Sequence, residues 1–308
     1  MTTEKESPSR PLLAQWDESI VLEYEARVEP FTAMFVQGML DPFFAEARET
    51  QQDSFGTTSP PSLLDVGCGS GVGSLLAAKQ GLRVVATDVS KGMVDRVRQR
   101  AKEWNVESSI ECLVADGQNL STALLSSSSS SSSNNNIKFD YAIAAFSLIF
   151  FPDPAKGLSE IYHCLSDNGG KFCLSAWGNA DETPAFQIFR EAFQAIKPDA
   201  TDAAKPNRMT GSPSTLQALL VDAGFQDVNI VGPIMHYVQV SSSEEYYKRF
   251  ALTNPDTKKS LEALSETDRQ AIREKVMELA ETRGGGHADG SISLPSKAYF
   301  AYGTKRIS

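Results

Sequence analysis

Apolar residues recur every three or four positions from residue 12 to residue 45, with Trp16, Ile20, Tyr24, Val28 and Phe31 on one stripe. That period predicts an amphipathic helix over the whole span. The segment ETQQDSFGTTSPPS then breaks the pattern with polar residues and prolines, as a connection does. From Ser62 onward short apolar runs alternate with helical stretches. SLLDVG reads as a buried strand, and Val72 to Gln80 as a helix with Leu75 and Leu76 turned inward. RVVATDV reads as a second strand, after which Ser90 caps a helix whose Met93, Val97, Ala101 and Trp104 share a face. IECLVADG, FDYAIAAF and GGKFCLSAW read as strands three, four and five. Between the last two, Asp153 and Pro154 open a helix through Leu158, Ile161 and Leu165. Strand and helix taking turns predicts an α/β fold whose parallel sheet is covered on both faces, with ligands outside the carboxyl ends of the strands.

The later chain is less regular. STLQALLVDAGF reads as a short helix closed by Gly224, and DVNIVG as a strand. Residues 243–252 and 265–283 read as helices, the second opened by Ser265 with Asp268 and stopped by Gly284 to Gly286; KAYFAYGTK reads as a closing strand. One stretch stands apart: Ser126 to Ser133 is unbroken serine, followed by three asparagines. Such a composition buries too little apolar surface to offset its ordering entropy, so residues 126–136 are expected to form a disordered surface loop between strands three and four. A loop of this kind accepts extra length at little cost.

Charge removes several classes of partner. With 39 acidic against 29 basic residues in 308, the net charge of -10 opposes adhesion to phosphate backbones and anionic lipid, which argues against nucleic acid and membrane as partners. No run of eighteen apolar residues occurs, and MTTEKESPSR carries no hydrophobic export segment, so the expectation is a cytoplasmic protein. Cys68, Cys112, Cys164 and Cys173 lack metal-ligand spacing and are expected as buried free thiols. None of His163, His236 and His287 pairs with a cysteine or carboxylate at a zinc-like interval, so no metal is expected.

The chemistry concentrates in LLDVGCGSGVG, residues 63–73. A dinucleotide fingerprint needs glycines at the first, third and sixth positions. Here the sixth position is Val72 counted from Gly67 and Ser74 counted from Gly69, so the fingerprint fails in both registers. A P-loop fails as well, because no lysine stands in the turn. Asp65, at the mouth of the first strand, would repel a pyrophosphate and attract a cation. A ligand carrying an ammonium group, a sulfonium centre, a ribose and an adenine suits that carboxylate. Asp88 ends strand two, 21 residues after Gly67, where it can accept ribose hydroxyls, and no arginine follows to invite a 2′-phosphate. Asp116 ends strand three in ADGQN, placed to accept from an adenine amino group. Three acids at three successive strand ends beside a glycine turn exceed what turn chemistry alone requires.

LLDVGCGSGVG, VVATDVSKGMVDRVRQRA, VADGQNL and FDYAIAAFSLIFFPDPAKGLSEIYHCLSDNGGKFCLSAWG together resemble the successive motifs of class I S-adenosylmethionine-dependent methyltransferases, nearest the small-molecule branch that includes ubiquinone-biosynthesis-type enzymes. The resemblance is strong over residues 58–180 and looser elsewhere. It implies a Rossmann-like seven-stranded sheet of order 3-2-1-4-5-7-6 with strand 7 antiparallel, helices on both faces and a helical cap. It also implies a single domain 1–308 with a helical lid over residues 1–50, a cofactor-binding core over 58–180 and substrate-side helices and closing strands over 181–308. On that basis Asp65, Gly67, Cys68 and Gly69 surround the methionine part of S-adenosylmethionine. Asp88, Val89 and Met93 hold the ribose and one adenine face, while Asp116, Gly117 and Gln118 frame the adenine. Ala145 and Phe146 lie under the sulfonium, and Tyr24 closes over the amino-acid end. Where relatives carry an arginine and Lys-Pro-Gly-Gly before strand five, this chain has His163, Cys164 and SDNGG, a change at a surface helix end.

Methyl transfer asks mainly for in-line positioning and the exclusion of water. His236, beside Tyr237 in PIMHYV, is the candidate base, although a strand histidine is more commonly structural. Phe31, Phe35, Phe150, Phe151, Phe186, Phe189, Tyr246 and Tyr247 supply aromatic surface for an acceptor pocket and suit an apolar or aromatic small molecule. Two alternatives stay open at this point: an S-adenosylmethionine-binding protein that assists another reaction such as a cyclisation, and a nicotinamide oxidoreductase, which the glycine spacing opposes.

Overall fold

The computed structural model describes residues 16, 18–53, 59–127, 138–198 and 211–307. The amino-terminal segment forms two helices, α1 (Glu18–Arg27) and α2 (Glu29–Asp53), where the hydrophobic period predicts one. Pro30 accounts for the break at Val28. Its missing N–H and its ring are tolerated in the first turn of a new helix but not inside a continuing one. α2 also runs past residue 45 into the expected connection, and it carries Pro42 within its length.

The sheet then builds through β1 (Ser62–Val66), α3 (Val72–Lys79), β2 (Arg83–Asp88), α4 (Lys91–Glu103), β3 (Ile110–Val114), α5 (Leu120–Ser127), β4 (Tyr141–Ala145), α6 (Pro154–Cys164) and β5 (Lys171–Trp177). Ser90 caps α4 by accepting from Met93 N, and Asp153 caps α6 by accepting from Lys156 N. Met93, Val97 and Ala101 are buried on one face of α4, as their spacing predicts. Ser126 and Ser127, the start of the expected disordered loop, form the last turn of α5, where Ser126 Oγ donates to Thr122 O at 2.8 Å. The rest of that loop lies outside the described residues.

The remaining elements are α7 (Pro184–Ile196), α8 (Pro213–Asp222), β6 (Gln226–Val240), α9 (Ser243–Thr253), α10 (Pro255–Glu262), α11 (Glu266–Gly284) and β7 (Ile292–Thr304). α7 and α10 were not anticipated. β6 also runs fifteen residues where DVNIVG gives six, continuing through Gly232–Pro233 across a register shift against β7. Seven strands form one sheet of order β3-β2-β1-β4-β5-β7-β6; β1 to β5 are parallel, and β7 is antiparallel to both of its neighbours. This is the order and sense that the resemblance implies. Phe35, Met39, Leu40 and Phe43 of α2 are buried with the sheet residues in one core. Each such burial contributes about 1.5–3 kcal/mol, so the amino-terminal helices are part of the fold's stability. Among the described residues no helix is long and apolar enough to cross a membrane.

Candidate active site

Because β1, β2, β3 and β4 are parallel and adjacent, their carboxyl ends meet at one edge of the sheet. Asp65, Asp88, Asp116 and Phe146 follow from that placement. The chain leaves β1 in a tight turn whose Gly67, Gly69 and Gly71 all have positive φ, at 70°, 54° and 96°. Two of these glycines are required for different reasons. A Cβ at Gly67 would stand 2.5 Å from Ser147 Cβ, whereas one at Gly69 would meet nothing within 4 Å. Gly67 is thus small because the β4 end packs on it, and Gly69 leaves open space above the turn. Gly67 N and Cys68 N both donate to Thr87 O, at 2.8 and 2.9 Å, which ties the turn to the end of β2.

Asp65 is 1% exposed. Its Oδ2 accepts from Ser74 Oγ at 2.7 Å, and its Oδ1 has no partner. A buried carboxylate oxygen without a donor is costly. Burial, with the charge of Asp88 adding and the Ser74 bond opposing, pushes the Asp65 carboxyl up to about 7. Asp88 is half-buried and accepts Gly69 N at 3.0 Å on Oδ2 and Ser90 N at 2.8 Å on Oδ1. Burial raises its pKa as well, against those backbone bonds. Cys68, half-buried between the two acids, has its thiol pushed well above the ordinary range by burial and then by Asp88 and Asp65. It is an inert wall group, not a nucleophile.

Asp116 Oδ1 accepts Gln118 N at 2.9 Å, an Asx turn, and Gln118 Oε1 accepts Asp153 N at 2.9 Å. Gly117 is covered by Phe151, whose Cζ would lie 2.3 Å from a Cβ there. Phe151 therefore sits on the Asp116 corner and not among the acceptor-side rings, and Phe150 is exposed. Val89 and Met93 flank Ser90 at the start of α4, with Met93 buried. Ala145 pairs with Ser175 across β4 and β5, and Phe146 N donates to Ser175 Oγ at 2.9 Å. Phe146 holds φ 51°, an outlier for a bulky residue. Its ring is fixed by stacking on Trp177 at 3.9 Å and by an edge contact with Phe35 at 5.6 Å.

Tyr24 lies on α1, with its ring edge-on to Trp16. Burial pushes its phenol up to about 12, with Glu29 and Asp88 adding to the rise and a Thr32 hydrogen bond opposing it. Those neighbours place it beside the glycine turn. The sequence did not flag what holds α1 and α2 there. Glu29 is buried and accepts from Arg100 Nη1 at 2.7 Å and from Ser70 Oγ, while the same Arg100 nitrogen donates to Ser70 O at 2.9 Å. Arg96 grips Glu25 through Nε and Nη2. Ser147 was also missed; its Oγ donates to Val66 O at 2.6 Å and locks the β4 end to β1.

Beyond β5, Phe31, Phe35, Phe146, Trp177 and Phe186 form a continuous ring cluster. His236 joins it, 4.5 Å from Phe35 and edge-on. Tyr237 points to the other face of β6 and is 44% exposed. His163 and His287 are exposed away from the strand ends. Phe189 stacks on Tyr247, and Tyr246 packs on Phe250, as a second aromatic layer between α7 and α9. No group of metal-ligating side chains occurs among the described residues.

A family profile described as a methyltransferase domain matches residues 63–169. No curated protein matches the chain. The solved structure of YcgJ from Bacillus subtilis is similar over 88% of this chain and 99% of its own, at 18% identity and a TM-score of 0.52. A methyltransferase-type protein from Bacillus halodurans covers 85% and 99% at 15% identity and a TM-score of 0.50. Phosphoethanolamine N-methyltransferase 2 of Haemonchus contortus, solved with phosphomonomethylethanolamine and S-adenosylhomocysteine, is similar over 95% of this chain and 58% of its own, at 16% identity and a TM-score of 0.51. At these identities the likeness is one of fold, and it agrees with the strand order. The profile falls on the glycine turn and the three acidic strand ends, so residues 63–169 are similar to a methyltransferase domain and lie in a sheet of the strand order described above.

Proposed function

We propose that the chain methylates a small, apolar or aromatic acceptor with S-adenosylmethionine as donor. The observation that carries this reading is the unpartnered, fully buried Asp65 Oδ1 beside a glycine turn left open at Gly69. That combination suits a cationic amino-acid group brought close to backbone. Asp88 and Asp116 would receive the ribose and the adenine, Val89, Met93, Gly117 and Gln118 would line the base, and Gly67, Cys68, Ala145 and Phe146 would wall the sulfur. Tyr24 would close over the amino-acid end from the helical lid formed by α1 and α2, which the buried Glu29–Arg100 pair holds against Ser70. When bound, the sulfonium supplies a methyl group that is already activated. The remaining work of the chain is to orient the acceptor and keep water out, and the rings around Trp177 fit that task. His236, on the inner face of β6, would take a proton, and Tyr237 is not on that face. The free thiols at Cys68, Cys112, Cys164 and Cys173 suit a reducing cytoplasm.

Calorimetry tests the donor. S-adenosylmethionine should bind the wild-type protein and fail to bind an Asp65→Asn/Asp88→Asn variant; absent uptake, or uptake indifferent to both substitutions, refutes the reading. A labelled-methyl screen over phenols, quinones, amines and carboxylic acids then identifies the acceptor class. Turnover of an acceptor without release of S-adenosylhomocysteine would replace methyl transfer by an assisting role.

A further inference from the structure

β5 ends at Trp177, but β6 and β7 continue past it. Trp177 pairs with Ala298, and Ala298 pairs in turn with Ile234, so these three side chains share one face of the sheet. One row further along, Ser296 pairs with His236 on that same face. This row has no partner from β5 and lies at the carboxyl edge, next to the ring cluster. Residues directly opposite in an antiparallel ladder have Cβ atoms about 5 Å apart, so the Ser296 hydroxyl and the His236 ring form one polar pair at the end of an aromatic wall.

The pair is not satisfied by the protein. Ser296 is 0% exposed and its Oγ has no hydrogen-bond partner. His236 is half-buried, rests edge-on against Phe35, and makes no hydrogen bond among the described residues. Phe35 in turn touches Phe146 and Trp177, so a single ring separates the histidine from the residue expected under the sulfonium. A fully buried hydroxyl left without a partner is destabilising, and serine is easily replaced by alanine; its position therefore points to a ligand group that completes it.

Building on the methyltransferase reading, we infer that Ser296 and His236 together grip a hydroxyl group on a flat, uncharged acceptor and direct its oxygen to the methyl group. The chemistry of the pair selects the class. A carboxylate acceptor would need a cation beside the pair and an ammonium acceptor a carboxylate, and the ladder neighbours of Ser296 and His236 on this face, Ile234, Val238, Leu294 and Ala298, are all uncharged. Glu182, at the same end of β5, is already engaged by Asn179 N, Tyr299 OH and Lys297 Nζ. A neutral O–H can donate to the imidazole and accept from Ser296 at once, with its ring against Phe35 and Trp177. As the oxygen–methyl bond forms, the sulfur–methyl bond breaks and its electron pair stays on the sulfur of S-adenosylhomocysteine. The hydroxyl proton passes to His236 and on to solvent.

The test uses the full chain loaded with S-adenosylhomocysteine and two probes of nearly equal shape, 2-naphthol and 2-methylnaphthalene, followed by quenching of tryptophan fluorescence. The wild-type protein should bind 2-naphthol at least tenfold more tightly than 2-methylnaphthalene. Ser296→Ala and His236→Asn should each shrink that ratio to within about threefold, with S-adenosylhomocysteine affinity unchanged by calorimetry. Melting curves confirm that both variants are folded, and the alanine variant keeps the shape of the site. Equal binding of the two probes, or a preference that survives both substitutions, overturns the assignment while leaving the methyltransferase reading intact. Tighter binding of 2-naphthoate or protonated 2-naphthylmethylamine than of 2-naphthol overturns it too. Absent S-adenosylhomocysteine uptake instead removes the reading on which the assignment rests.

Discussion

Replacing Asp65 by asparagine should stabilise the ligand-free protein above neutral pH while abolishing donor binding, and the size of the effect follows from the burial of that side chain. The carboxyl is 1% exposed, and its pKa is raised from 3.8 to about 7. A group whose pKa is higher in the folded than in the unfolded state contributes stability that is complete below the unfolded value and is lost as pH rises through the folded one. Here the window runs from about pH 4 to about pH 7. At about 1.4 kcal/mol per unit, the full loss is about 4 kcal/mol, of which about 3 kcal/mol falls between pH 5 and pH 8. Asparagine keeps the shape and an acceptor for Ser74 Oγ but does not titrate. The stability gap between variant and wild type, from urea unfolding at pH 5, 6, 7 and 8, should therefore widen by about 3 kcal/mol across the series. Asp88 is also raised by burial and adds its own slope, but it is present in both proteins and largely cancels in the difference. The same linkage has a binding signature. Near pH 7 about half of the ligand-free molecules hold a proton on Asp65, so binding a cation there should release about half a proton. Titrations in two buffers of different ionisation enthalpy measure this release. Parallel stability curves for the two proteins, or donor binding with no proton release at pH 7, would refute the argument.

Two further substitutions separate function from stability. Ser296→Ala removes a buried hydroxyl without a partner and should raise the unfolding free energy by about 1 kcal/mol, measured in urea, while weakening hydroxyl-bearing ligands; a net destabilisation would mean that Ser296 is satisfied within the protein. Arg100→Met leaves Glu29 buried without its cation and should cost about 3–5 kcal/mol by urea unfolding, with most of the loss recovered in the Glu29→Leu/Arg100→Met double variant, because the desolvation of both charges is then avoided. A loss under 1 kcal/mol for the single variant would show that this pair does not fasten the amino-terminal helices.

Local signals carried the first two thirds of the fold. Hydrophobic runs ending in or next to glycine or aspartate located β1, β2, β3 and β5, the run FDYAIAAF located β4, and Ser90 and Asp153 marked helix starts by capping chemistry that needs no tertiary context. The split at Pro30 was present in the same local vocabulary, but the unbroken stripe from Trp16 to Phe31 outweighed it, since Ile20 of α1 and Phe31 of α2 are both buried. α7 is amphipathic and proline-capped, and the period of Ala185, Ile188, Phe189, Ala192 and Phe193 was available to find it. DVNIVG covers only the first part of β6, and the strand continues past Gly232 and Pro233 by shifting register against β7.

The site divides along the same physical line. Asp65, Asp88 and the glycines could be read directly, because a tight turn after a buried strand imposes its residue types within a few positions. Glu29 with Arg100, Ser147 under Gly67, and Phe151 over Gly117 could not, since each is a meeting of segments far apart in sequence with no spacing rule to betray it. Ser296 is the extreme case. Nothing in SLPSKAY distinguishes its hydroxyl from that of Ser293, which sits one step along the opposite phase of β7 and is half exposed. Only the register that sets Ser296 against His236, beyond the last residue of β5, makes one serine a solvated strand residue and the other an unanswered polar group facing the rings. On the proposed reading, the acceptor side is encoded in strand pairing, whereas the acidic strand ends and the glycine turn of the donor side are encoded in local sequence. If Ser296 and His236 hold the acceptor as proposed, a change in the length or register of β6 should alter acceptor choice before it alters donor binding.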